Sequence, residues 1–195
     1  MKQAILIHGK PDKAEYFNPM LPSVSNANWF PWIQQQLNIA GIASQTPEMP
    51  NAWQPQYPTW AKELERYDIT PETMLVGHSA GGGFLVRWLS EHPGIQVGKV
   101  VLVAPSMGLD WGETDFFAFE VDPNVASRTK GLVIFGSDND RKAIRDVVGI
   151  YRTKIDGADY REIAGHKHFT YEDIGSGFPE LLCELLADTP NPITS

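Results

Sequence analysis

Ser79 sits in Gly77-His78-Ser79-Ala80-Gly81, a match to G-x-S-x-G, at the end of the apolar run Thr73-Met74-Leu75-Val76 and ahead of Gly82 and Gly83. These residue types suit nucleophilic attack. A serine held on a sharp, strained strand-to-helix turn exposes its hydroxyl, and side chains at the flanking positions would collide with neighbouring elements. The helix that follows offers unpaired N–H groups and the positive end of its dipole. A plain glycine turn is the competing reading. The strand before the motif and the helix-forming run after it favour the nucleophile.

A serine hydroxyl is a weak nucleophile and needs a base, which in turn needs an orienting carboxylate. Where this elbow occurs, acid and histidine follow in that order, each at the carboxyl end of a later strand. Gly136-Ser137-Asp138-Asn139-Asp140 follows one apolar run, and Gly165-His166-Lys167-His168-Phe169 follows a later one. The acid is therefore Asp138 or Asp140, and the base His166 or His168. Asp140 could instead cap a helix, and the histidines could lie on a surface loop. No H-E-x-x-H spacing supports a metal site, so none is expected.

The oxyanion formed on attack needs two backbone donors. Ala80, after the nucleophile, would supply one. The loop after the first strand, His8-Gly9-Lys10-Pro11, would supply the other from Lys10, because Pro11 has no N–H. His8, His78 and His92 read as packing or hydrogen-bonding residues.

These groups need a scaffold, and the hydrophobic pattern supplies one. Strands are predicted at 4–8, 42–46, 74–76, 100–103, 132–135 and 160–164. Helices are predicted at 29–40, 57–66, 80–91, 141–154 and 178–187. Unbroken apolar strands separated by helices imply a parallel sheet covered on both faces. The segment from 105 to 130 breaks the alternation. It carries Trp111, Phe116, Phe117 and Phe119 among acidic residues, and either buries its rings on the domain or forms a lid. In the second case Trp111, Phe116 and Phe117 would wall the substrate pocket.

The elbow, the Gly136–Asp140 turn, the His168-Phe169 pair and the opening loop resemble the small α/β-hydrolase (serine hydrolase) family containing retinoblastoma-binding protein nine and bacterial YdeN. The resemblance covers nearly the whole chain. It implies an α/β-hydrolase fold, a compact three-layer sandwich with a mostly parallel sheet and no large cap domain, and hydrolysis without a cofactor. In that family the acid is the second aspartate after a Gly-Ser turn, which selects Asp140 and leaves Asp138 as runner-up. The family's histidine follows Gly and precedes Phe, and the chain departs from this by dividing the two neighbours between His166 and His168. The downstream Phe169, Asp173 and Gly175 select His168, with His166 as runner-up.

Length and composition set outer limits. The 195 residues suit a single domain, residues 1–195, with a frayed tail at about 188–195. A net charge of −8 argues against nucleic acid and anionic membrane as partners. The one cysteine, Cys183, cannot form an internal disulfide and reads as a small apolar residue on a helix face. A cytoplasmic protein acting on a small ester or amide is the expectation, with no protein partner indicated. An acyltransferase or perhydrolase on the same triad, and a protein-binding module on a hydrolase scaffold, are the rival readings.

Overall fold

The computed structural model describes residues 2–109, 111 and 114–187. Six strands form one sheet: β1 (Gln3–Ile7), β2 (Ala43–Gln45), β3 (Thr73–His78), β4 (Val100–Val103), β5 (Leu132–Gly136) and β6 (Asp159–Glu162), in the spatial order β2-β1-β3-β4-β5-β6. Every pairing is parallel. The β-branched and leucine-rich runs of β1, β3, β4 and β5 are buried along almost their whole length, as strands covered on both faces must be.

Helices α2 (Phe30–Ile39), α3 (Tyr57–Leu64), α4 (Ala80–Glu91) and α5 (Lys142–Lys154) make the crossovers, and α7 (Pro179–Leu186) closes the fold. Two short helices, α1 (Lys13–Tyr16) and α6 (Tyr171–Ile174), lie outside the helices that the periodicity predicts. Right-handed connections set α2 against one face of the sheet and α3, α4 and α5 against the other. Each face has its own aromatic core. Trp29, the N-cap of α2, meets Phe30 and Phe178, and Phe178 stacks on Phe169, on one side, while Trp60 of α3 meets Phe84 of α4 and Phe116 on the other.

The chain first moves from β1 to β2, then returns past β1 to β3 and continues the other way. The connections therefore part between β1 and β3, which leaves a crevice beyond the carboxyl ends of those two strands. Both the His8–Pro11 loop and Ser79 emerge there.

Several expectations are corrected. Phe116 and Phe117 are buried, and the carbonyls of Asp115 and Phe116 accept hydrogen bonds from Arg87 of α4. Gly83 leaves the room for this: a Cβ there would lie 1.8 Å from the Ser106 carbonyl oxygen and 2.6 Å from the Phe117 ring. These rings serve the core. Cys183 is exposed, because α7 buries Leu181 and Leu185 and turns the cysteine away. The last strand starts one residue earlier and ends two residues sooner than predicted, as a largely exposed edge. The expected frayed tail, 188–195, lies outside the described residues. Among the described residues no helix is long and apolar enough to cross a membrane.

Candidate active site

Ser79 caps the start of α4 with φ 54° and ψ −117°, a backbone conformation that a residue with a Cβ adopts only under strain. Its N–H donates to the Val103 carbonyl of β4 at 2.9 Å, and its own carbonyl accepts from Ser106 at 2.9 Å. Glycine is needed next to it for space. A Cβ on Gly81 would sit 2.3 Å from the Ile7 carbonyl oxygen, and one on Gly77 would sit 2.6 Å from that of Gly81. The first turn of α4 thus lies directly on the end of β1.

His168 brings the three candidate groups together. Its Nε2 is 3.0 Å from Ser79 Oγ, and its Nδ1 is 2.9 Å from Asp140 Oδ2. An ionised carboxylate only accepts, so Nδ1 carries the proton and donates to Asp140, which leaves the Nε2 lone pair facing the serine hydroxyl. The Asp140 side chain is 1% exposed, and its Oδ1 accepts from the Arg141 N–H at 2.6 Å. A guanidinium nitrogen of Arg141 stands 3.5 Å from His168 Nε2, at the solvent side of the group.

The runner-up residues do a different job. Asp138 Oδ1 accepts from the Gly165 N–H at 2.8 Å, Ser137 Oγ accepts from His166 at 3.0 Å, and Asn139 Oδ1 accepts from Lys167 at 2.8 Å. Three consecutive side chains after β5 thereby hold three consecutive N–H groups of the histidine loop. His166 turns away: its Nδ1 donates to the Ala164 carbonyl at 3.0 Å, and its ring faces Phe169. Neither Asp138 nor His166 touches Ser79.

From below, the loop rests on two buried ring donors. His78 Nε2 donates to the His168 carbonyl at 2.8 Å, and Trp29 Nε1 donates to the Phe169 carbonyl at 3.0 Å. The loop needs such support, since Lys167 and Phe169 both have positive φ, 42° and 58°. Burial pushes the His78 imidazole down to about 3, and the neighbouring His168 pushes in the same direction, so the ring is a neutral donor. Asp173 steadies the other side by accepting from the N–H groups of His168 and Thr170. Burial pushes the Asp173 carboxyl up, but these bonds and that of the Thr170 hydroxyl outweigh it and hold the group below its usual value.

On the β1 side, His8 is fully buried. Its Nδ1 donates to the Gly9 carbonyl at 2.7 Å, and its Nε2 accepts from the Met49 N–H at 2.9 Å. Burial lowers its pKa, against the opposing pull of the Gly9 carbonyl. Gly9 lies against Ser79: a Cβ there would come within 3.1 Å of Ser79 Cβ. The Lys10 ammonium sits over the Trp111 ring, 5.2 Å from its centroid.

Ser79 and His168 open into a cavity of about 830 Å³. Its lining comes from the 9–32 stretch and from 168–176, and Trp111, Phe116 and Phe117 are not part of it. The expected pocket wall therefore lies elsewhere, because the aromatic segment is spent on the α3–α4 core. Among the described residues no group of three or more His, Cys, Asp or Glu side chains is placed to hold a metal ion.

A parallel sheet with a strained serine at the carboxyl end of its central strand defines an α/β-hydrolase fold. A family model described as serine hydrolase matches residues 19–173. The chain belongs to the serine hydrolase family and is a hydrolase. Among solved structures it is similar to the ydeN gene product of B. subtilis, with 23% identity over 96% of this chain and 98% of that chain and a TM-score of 0.81. It is also similar to Est1E from Butyrivibrio proteoclasticus, with 15% identity over 96% and 87% of the two chains and a TM-score of 0.63. CarC, a serine hydrolase involved in carbazole degradation, aligns at 13% identity over 96% and 90%, with a TM-score of 0.60. No curated protein matches the sequence.

Proposed function

We propose that this hydrolase cleaves carboxylic esters or small amides through an acyl-enzyme on Ser79, with His168 as general base and then acid and Asp140 as its orienting carboxylate. The observation that carries the reading is the unbroken hydrogen-bonded chain from Ser79 Oγ through both ring nitrogens of His168 to buried Asp140.

The chemistry follows from the proton positions. His168 Nε2 takes the hydroxyl proton as Ser79 Oγ adds to the carbonyl carbon, and Asp140 stabilises the imidazolium that results. The Ala80 N–H, in the first turn of α4, would bind the oxyanion. The second donor would be Lys10. Because carbonyl and N–H of a trans peptide point in opposite directions, the His8 hold on the Gly9 carbonyl orients the Lys10 N–H away from His8. Nε2 then returns its proton to the leaving alcohol or amine. Water repeats the cycle and releases the acid.

Turnover of p-nitrophenyl acetate and of an acyl p-nitroanilide by the native protein and by Ser79→Ala tests this reading. The ester is expected to turn over with the native chain and to fall to background with the variant. Equal turnover by both would remove Ser79 from the reaction.

A further inference from the structure

We infer that the cavity beside Ser79 selects esters bearing an extended, uncharged apolar group, and that the wall responsible is built by the 21–32 stretch and α6. This rests on the hydrolase reading above and adds what that reading leaves open, the size and polarity of the substrate.

Volume speaks first. At about 830 Å³ the cavity falls in the upper part of the range for small-molecule sites, roughly 300–1,000 Å³. An acetyl ester would leave most of it to water. The chemical character of the wall speaks second. Leu21, Pro22, Val24, Pro31, Trp32 and Tyr171 supply aliphatic and aromatic surface. Leu21 is 47% exposed and Tyr171 59% exposed, although both are apolar enough to be buried had the chain a partner for them.

The wall is held in place before any ligand arrives. The Tyr171 N–H donates to Asn28 Oδ1 at 2.8 Å, and the Ser25 N–H donates to a Glu48 carboxylate oxygen at 2.9 Å. Prolines at 22 and 31 stiffen the same stretch. A preformed apolar wall loses little freedom on binding, so burial of the substrate chain is realised as selectivity.

Charge decides the rest. Among the described residues Glu15 and Glu172 line the cavity with one ammonium, Lys10, which is engaged with the Trp111 ring and the Pro11 carbonyl. A carboxylate on the substrate chain would meet two like charges against one ammonium already held by neutral partners, a net negative surrounding. The group that fits is therefore neutral.

Two ester series test the inference and show which side of the ester the cavity holds. One is p-nitrophenyl esters of lengthening acyl chain, and the other is acetates of lengthening alkyl alcohol. In the series whose chain enters the cavity, kcat/KM is expected to rise about threefold to fourfold per added methylene until the wall is covered. A hemiester of a dicarboxylic acid of matching length is expected to be at least about tenfold poorer than its neutral counterpart. In Leu21→Asp, which alters an exposed side chain and leaves the core intact, the long-to-short ratio is expected to collapse. Flat profiles in both series, with acetate still turned over and Ser79 still labelled by a fluorophosphonate, would overturn the inference and leave the hydrolase reading standing. No turnover of any ester would overturn both.

Discussion

The His78 ring, next to Ser79 in sequence, donates to the backbone carbonyl of His168 at 2.8 Å, so the turn at Ser79 holds up the histidine that faces it. The two sides of the site are coupled by this one bond and by the parallel bond from Trp29 to Phe169. In the proposed mechanism His78 is a positioning residue, acting through the backbone of His168 rather than on substrate.

Replacing the donor while keeping an aromatic ring should separate placement from folding. His78→Phe is expected to lower kcat about tenfold to a hundredfold with KM little changed, because a displaced imidazole misses the serine proton. His78→Gln, which retains an N–H donor, should recover part of the loss. Steady-state kinetics on a single ester check both; an unchanged kcat in His78→Phe would refute the positioning role.

The same ring makes stability depend on pH. His78 is held at about 3 in the folded chain, against 6.5 for an ordinary imidazole, chiefly by burial and further by His168 and His8; the His168 carbonyl and Asp173 oppose the shift. His8 is lowered in the same direction. Between 6.5 and about 3 the unfolded chain binds more protons than the folded one, so stability falls as pH falls through that window. Each group contributes at most about 1.4 kcal/mol per pH unit. Urea midpoints measured from pH 7 to pH 4 should decline more steeply for the native chain than for His78→Phe. Equal slopes would contradict this.

The two aspartates after β5 should separate cleanly. Asp140→Asn keeps one oxygen for the Arg141 N–H and turns an amide NH2 toward His168 Nδ1, a donor where an acceptor fixed the tautomer, and is expected to lower kcat about a thousandfold or more. Asp138→Asn keeps an oxygen for the Gly165 N–H and is expected to lower kcat less than tenfold, with about 1 kcal/mol lost in stability. Kinetics and urea unfolding of the pair decide it, and equal losses of kcat would contradict the division of roles.

Strain at the elbow is measurable too. Ser79→Gly and Ser79→Ala both remove the hydroxyl, but only glycine relieves the backbone at φ 54°. The glycine variant is expected to be the more stable of the two by about 1 kcal/mol, the balance of relieved strain against greater freedom when unfolded.

Much of this was legible in sequence because local chemistry and local structure agree. The glycines around Ser79, the apolar runs of β1, β3, β4 and β5, and the Gly-Ser turn before Asp140 each carry a physical reason within a few residues. Choosing between Asp138 and Asp140, or His166 and His168, needed the family pattern, since their spacing alone is equivalent. The role of Ser137, Asp138 and Asn139 in gripping three N–H groups was hidden, because the partner loop lies more than twenty residues away. The cavity wall was misplaced for a similar reason. Phe116 and Phe117 look like a lid until Gly83 and Trp60 are seen to receive them, and Leu21 to Trp32 look like a plain loop and helix start until α6 closes on them.

Intact-mass labelling with a fluorophosphonate, on the native chain and on Ser79→Ala and His168→Ala, tests the central claim most directly. One adduct on the native chain, absent from Ser79→Ala and formed far more slowly in His168→Ala, is the expected result. An adduct that persists in Ser79→Ala, or no adduct on folded native protein, would mean that the hydrogen-bonded chain from Ser79 to Asp140 does not activate the serine.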